Sequence, residues 1–207
     1  MQITLTNTGK RYNREWIFRH INYEFKAGRS YAITGPNGSG KSTLLQVIAG
    51  AVMHSEGEIG YNDPGSGIRD PGLINEPYKQ ISLAAPYLEL IEEMTAAEFL
   101  KFHSAFKSLT IPISEMLLQV GIAEAANKQI RYFSSGMKQR LKLGMAFFSN
   151  SNVLLLDEPS TNLDSDGIEL YHRLIQNYSK EKLVIVSSND KIEYDFCEEL
   201  IAINNYK

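Results

Sequence analysis

The chain has 207 residues, 43% of them hydrophobic, with a formal net charge of −3 when His is neutral. That length supports one solid core, alone or with a smaller appended lobe, and the acidic balance argues against nucleic acid as a partner, since such footprints are normally basic. The single Cys197 excludes an internal disulfide and a thiolate metal site, and His20, His54, His103 and His172 form no pair at metal-ligand spacing.

Residues Met1 to Thr6 alternate apolar and polar like a strand, without the charged start and long apolar run of a signal peptide. No segment is apolar for long enough to span a bilayer. The expectation is a cytoplasmic protein that meets a membrane only through another chain. Ile3, Leu5, Trp16–Phe18 and Ile21–Phe25 predict further short strands, with a turn at Gly28. Tyr31-Ala32-Ile33-Thr34 predicts a buried strand, and Ser42 to Ala49 a helix ended by Gly50.

Between them lies Gly35-Pro36-Asn37-Gly38-Ser39-Gly40-Lys41-Ser42, which fits the phosphate-loop pattern G-x-x-x-x-G-K-[ST]. A triphosphate needs many donors converging on crowded oxygens. Gly35, Gly38 and Gly40 let backbone N–H groups approach because no Cβ intervenes. The helix aims its positive end at the same place. Candidate nucleotide contacts are Gly35, Asn37, Gly38, Ser39, Gly40, Lys41, Ser42 and Thr43. Lys41 supplies a point charge for the β- and γ-phosphates, and Ser42 a hydroxyl for Mg²⁺.

Gly57–Tyr61 predicts a strand, Asn62 to Pro77 a loop, and Lys79–Ala85 a strand stopped by Pro86. The period then changes. Thr95-Ala96-Ala97-Glu98 fits a capping box, and Phe99, Phe102 and Phe106 follow at helical spacing as a predicted core stripe. Ser114 is the expected cap of a helix through Val120, closed by Gly121. A third helix is expected from Ser135-Gly136 to Phe148, so that residues 86–139 form a mainly helical insert. Val153–Asp157, Leu183–Ser187 and Leu200–Ile203 predict strands, and Gly167–Tyr178 a helix. Apolar β-branched runs alternating with helices give an α/β fold with a mostly parallel, two-sided sheet.

Val153-Leu154-Leu155-Leu156-Asp157-Glu158-Pro159 delivers two carboxylates at the C-terminal edge of a buried strand, where ligands of open α/β sheets sit. Asp157 is placed to hold Mg²⁺ through water opposite Ser42, and Glu158 to accept a proton from attacking water.

The chain resembles the ATP-binding cassette (ABC) ATPases over essentially its whole length. Besides Gly35–Thr43 and Val153–Glu158 it carries Phe133-Ser134-Ser135-Gly136-Met137-Lys138-Gln139-Arg140, similar to the family signature L-S-G-G-Q, and Ser160-Thr161-Asn162-Leu163-Asp164, matching the dimer-contacting loop. Ser134 or Ser135 precedes a helix, leaving a hydroxyl and free N–H groups outward as an uncharged anion site. Met137 and Lys138 are read as replacing the second Gly and the Gln.

The resemblance implies a P-loop NTPase of ABC type: one domain over 1–207, with 1–85 and 140–207 as the catalytic lobe, including an N-terminal antiparallel β subdomain, and 86–139 as the helical subdomain. It implies a head-to-tail homodimer or heterodimer of cassettes with ATP sandwiched between phosphate loop and signature, so that Ser135 and Gly136 of one subunit complete the partner's site. It places Tyr12 as the adenine-stacking aromatic. Two departures follow from it. Pro86 stands where the family usually has a Mg²⁺-touching Gln, with Gln80 a poor substitute. Ser187-Ser188-Asn189-Asp190 replaces the usual Val-Thr-His-Asp, so Asn189 contacts the γ-phosphate without a positive charge. The function implied is ATP hydrolysis, slowed by Pro86 and Asn189. It would energise a separate transmembrane permease docked near Tyr87–Glu93, at the inner face of the cell membrane. The alternatives are a soluble non-transport ABC ATPase, for example in iron–sulfur assembly, or a slow regulatory cassette.

Overall fold

The structure is a computed structural model that describes residues 1–63, 72–74 and 76–207. Strands β1 (Gln2–Tyr12) and β2 (Glu15–Phe25) form an antiparallel hairpin whose two-residue turn starts at Asn13, in the left-handed region at φ 52°. β3 (Ser30–Thr34) leads through the glycine-rich loop into α1 (Lys41–Ile48). β4 (Glu56–Asp63) and the short β5 (Gly72–Leu73) extend the hairpin into a sheet of order β2-β1-β4-β5. Here β4 runs past the predicted start of the loop at Asn62; the loop's middle lies outside the described residues.

The second sheet holds β3, β6 (Ile81–Ala84), β7 (Val153–Asp157), β8 (Leu183–Ser187) and β9 (Glu199–Ala202) in the order β6-β7-β8-β3-β9. All four pairings are parallel, as two-sided apolar runs require. The helices α2 (Ala96–Phe106), α3 (Ile113–Gln119), α4 (Ser135–Phe148) and α5 (Ser165–Tyr178) complete the chain. Alternation along β7 divides the apolar interior into two masses. Val153 and Leu155 face the mass shared with β1, β2 and α1, whereas Leu154 and Leu156 face α4, α5 and the helices before them.

Three expectations change. The strand after the loop begins at Ile81, because Pro77–Lys79 forms a 3-10 turn. Ser114 lies inside α3, whose cap position is Pro112; the fixed proline φ of −58° starts the helix two residues earlier. The aromatic stripe is only partly core. Phe99 is buried, but Phe102 is 44% and Phe106 74% exposed, their rings paired at 5.1 Å. The buried face of α2 runs through Ala96, Phe99 and Leu100; Phe102, two residues beyond Leu100, points about 160° away from it. Phe106 is the last residue of the helix. The capping box is present as predicted: Thr95 accepts from the Glu98 N–H at 3.3 Å, and the Glu98 carboxylate accepts from the Thr95 N–H at 2.9 Å.

Candidate active site

Strand order brings three loops to one edge, because β7, β8 and β3 are neighbours running the same way. The loop after β3 is the glycine-rich segment. Gly35, Gly38 and Gly40 have φ of 150°, 75° and 101°, all in the region that disfavours side chains. A Cβ on Gly40 would stand 2.4 Å from the Ile17 side chain, and one on Gly35 2.9 Å from Ile203 and Ser39. The close fit of Gly40 against Ile17 also brings the hairpin end carrying Tyr12 toward this edge, since Arg11 pairs with Trp16 and Tyr12 with Glu15. The Tyr12 ring is 47% exposed, with the Lys10 ammonium 4.8 Å from its centre.

Lys41 is buried, and its ammonium donates to the carbonyls of Gly35 at 2.9 Å and Pro36 at 3.2 Å. It thus closes the ring of the loop. Ser42 and Thr43 occupy the first turn of α1, whose cap residue Gly40 supplies no side chain to the free N–H groups. Asn37 and Asn189 meet directly: the Asn189 amide donates to Asn37 Oδ1 at 2.9 Å. The loop after β8 therefore touches the glycine-rich loop.

Asp157 ends β7 with no exposed surface, and neither carboxylate oxygen has a hydrogen-bond partner. Burial pushes its pKa up. The hydroxyls of Ser42 and Ser187, the charge of Lys41 and the phenol of Tyr87 pull it back, although none of these groups reaches ordinary bonding geometry with it. An orphaned buried carboxylate beside a serine hydroxyl fits a hard, oxygen-seeking divalent cation such as Mg²⁺. Glu158 takes the left-handed conformation, φ 42°, while its N–H donates to the Ser187 carbonyl at 2.9 Å. This turn sends consecutive carboxylates in different directions at a cost in backbone strain.

The position after β6 gives the least expected result. Lys142 donates to the carbonyls of Ala85 at 3.3 Å and Pro86 at 2.7 Å, clamping the turn that follows the strand paired with β7. Tyr87 then directs its phenol toward Asp157 and Gln46. Burial pushes that phenol up to about 12, with the Asp157 charge acting in the same sense. Gln80 lies at the other end of β6, its carbonyl accepting from the N–H groups of Asn152 and Val153. Sequence reasoning did not anticipate a phenol at the Asp157 carboxylate. The signal was its place three residues beyond the end of β6, a strand neighbouring β7.

Ser135 and Gly136 stand apart from these groups. They line a separate depression of about 450 Å³ with Gly121, Ile122, Ser134, Met137, Arg140, Asn162 and Asp164, which includes no residue of the glycine-rich loop. Ser134, rather than Ser135, caps α4: its hydroxyl accepts from the Met137 N–H at 3.2 Å. This corrects the register of the motif. Laid from Phe133, Ser134 takes the place of the Ser of L-S-G-G-Q, Gly136 that of the second Gly, and Met137 that of the Gln, with Ser135 replacing the first Gly. A Cβ on Gly136 would approach the Asn162 carbonyl to 3.1 Å. Asp164 caps α5 by accepting from the Gly167 N–H at 2.9 Å and also accepts from Arg140 at 3.1 Å; these two bonds, in that order, hold its pKa down.

Among the described residues no helix is long and apolar enough to cross a membrane. The sequence matches the ABC transporter family over residues 18–161. It is 29% identical over 193 residues to the lantibiotic transport ATP-binding protein SrtF of Streptococcus pyogenes, covering 90% of this chain and 79% of that one. It is 29% identical over 207 residues to an uncharacterized ABC transporter ATP-binding protein, YybJ, of Bacillus subtilis, covering 98% and 93%. The fold is similar to the dimeric structure of a bacterial ABC transporter cassette, with a TM-score of 0.79 at 26% identity over 97% of this chain and 94% of that one. The glycine-rich loop, the paired carboxylates and the capped signature helix thus lie in a chain that belongs to the ABC transporter family, as one of its ATP-hydrolysing, ATP-binding cassettes.

Proposed function

We propose that this cassette drives a separate transmembrane permease by closing on ATP with a second cassette, and reopening after hydrolysis. In this reading Gly35, Asn37, Gly38, Ser39 and Gly40 cradle the phosphates with backbone N–H groups. Lys41 leaves its carbonyl partners to neutralise phosphate charge, and Ser42 and Thr43 present the helix terminus. Tyr12 offers its ring face to the adenine. Ser42 and Asp157 would hold Mg²⁺, which supplies charge neutralisation across the phosphate oxygens. Glu158 takes the proton from attacking water, and Asn189 donates to the γ-phosphate once its bond to Asn37 is exchanged. Ser134, Ser135 and Gly136 complete the partner's site across the interface, and residues 86–139 act as the helical subdomain that meets the permease.

The observation that carries this reading is the unpartnered, fully buried carboxylate of Asp157 beside Ser42 at the mouth of the glycine-rich loop. Asn189 and Pro86, standing where a His and a Gln are usual, support slower turnover than in a fully matched cassette. The test is Glu158→Gln in the purified chain. The expected result is phosphate release reduced by at least 10²-fold with Mg-ATP binding retained and a dimer accumulating on ATP. Unchanged turnover would overturn the assignment of the base.

A further inference from the structure

Glu193 is, with Lys41 and Asp157, one of the three charged residues that are buried among the described residues. It makes no ion pair among those residues. It lies in the 3-10 turn Lys191–Glu193, four residues beyond Asn189. Its Oε1 accepts from the Ser160 backbone N–H at 2.6 Å and from the Ser160 hydroxyl. Tyr171 fixes the same turn by donating its phenol to the Glu193 carbonyl at 2.6 Å. Burying an unpaired carboxylate costs more than burying an amide or an apolar side chain, so stability alone does not account for it.

What the carboxylate holds is the turn that aims Glu158. Ser160 is two residues past Glu158, and that turn contains two left-handed residues, Glu158 at φ 42° and Asn162 at φ 66°. Strain of this kind persists only where surrounding bonds over-determine the backbone. Three anchors do so here. The Glu158 N–H is held by the Ser187 carbonyl at 2.9 Å. The Pro159 carbonyl accepts from buried Gln139 of α4 at 2.8 Å. Glu193 supplies the third. It is the anchor that belongs to the loop after β8, in which Asn189 touches Asn37. Asp190 stiffens the intervening turn by accepting from the Ile192 N–H at 3.0 Å.

We propose that Glu193 is a positioning residue for hydrolysis: through Ser160 it sets the strained turn that aims Glu158, and it ties that aim to the contact between Asn189 and the phosphate loop. The proposal rests on the assignment of Glu158 as the base. The test compares Mg-ATP turnover and binding in the full chain for Glu193→Ala, Glu193→Gln, Glu193→Asp and, as reference, Glu158→Gln. Misaiming a base by an ångström lowers kcat by about tenfold to a hundredfold. Glu193→Ala should therefore lose that much in kcat with KM for ATP unchanged. Glu193→Gln, which keeps an acceptor oxygen at the same reach, should restore most of it. Glu193→Asp keeps the charge but withdraws the oxygen from Ser160, and should show the loss even if the alanine variant fails to fold. Turnover at the wild-type level per ATP-binding site in the alanine or the aspartate variant overturns the proposal. If Glu158→Gln abolishes turnover in the same experiment, the base assignment stands without it; if Glu158→Gln is active, the base assignment itself fails.

Discussion

Asp157→Asn should move stability in opposite directions with and without nucleotide. Asp157 has 0% of its surface exposed, and both its oxygens are unpartnered. A buried group left unsatisfied costs about 1–3 kcal/mol, more when charged. The amide has the same shape without the charge, and its NH₂ can donate to the Ser42 or Ser187 hydroxyl nearby. The nucleotide-free variant should therefore gain about 1–2 kcal/mol, which for a chain of this size raises Tm by roughly 2–8 °C. The wild-type protein at 100 times the Kd of Mg-ATP gains about 2.7 kcal/mol, or roughly 5–11 °C. The variant should lose most of that increment, and its Tm with ATP should no longer respond to EDTA. Thermal melts followed by fluorescence, with and without Mg-ATP and EDTA, give all four values. A nucleotide-free variant melting below the wild type would refute the reasoning, because the carboxylate would then be satisfied in the native chain.

If the Tyr12 ring stacks on adenine, Tyr12→Ala should weaken ATP binding by about 1–3 kcal/mol while leaving inorganic tripolyphosphate binding unchanged; calorimetry that finds equal losses for both ligands removes Tyr12 from the base site. Burial pushes the Glu193 carboxyl above its usual range, with the bonds from Ser160 and Ser188 opposing. Between the unfolded and the folded pKa the native state binds more protons, so this group makes stability fall as pH rises. In Glu193→Gln that contribution is gone, and its Tm relative to wild type should climb from about pH 4 to pH 7. A difference independent of pH would show that the native carboxylate titrates normally.

The parts of the site written contiguously were legible in the sequence. The glycine-rich loop, the strand ending in Asp157 and Glu158, and the cap before α4 are each local, and their chemistry follows from residue type and spacing. The parallel sheet was legible because runs such as Leu183–Ser187 are apolar on both faces. What the sequence did not show is assembled across the fold. Glu193 meets Ser160 from 33 residues away, and Gln139 meets Pro159 from 20. Tyr87 reaches Asp157 only because β6 and β7 are paired. The register of the signature turned on one residue, and only the Ser134 hydroxyl bonded to the Met137 N–H decides it. The spacing of Phe102 and Phe106 gave a stripe but not the direction in which it points.

The alternation along β7 has a thermodynamic corollary. Its even- and odd-numbered leucines belong to different apolar masses, so one five-residue segment is a common wall rather than a partition. Melting either side strips that wall and releases the acidic pair at its end. No half-denatured form of this chain should retain Asp157 in its native setting, and loss of nucleotide response should coincide with the first cooperative transition on heating.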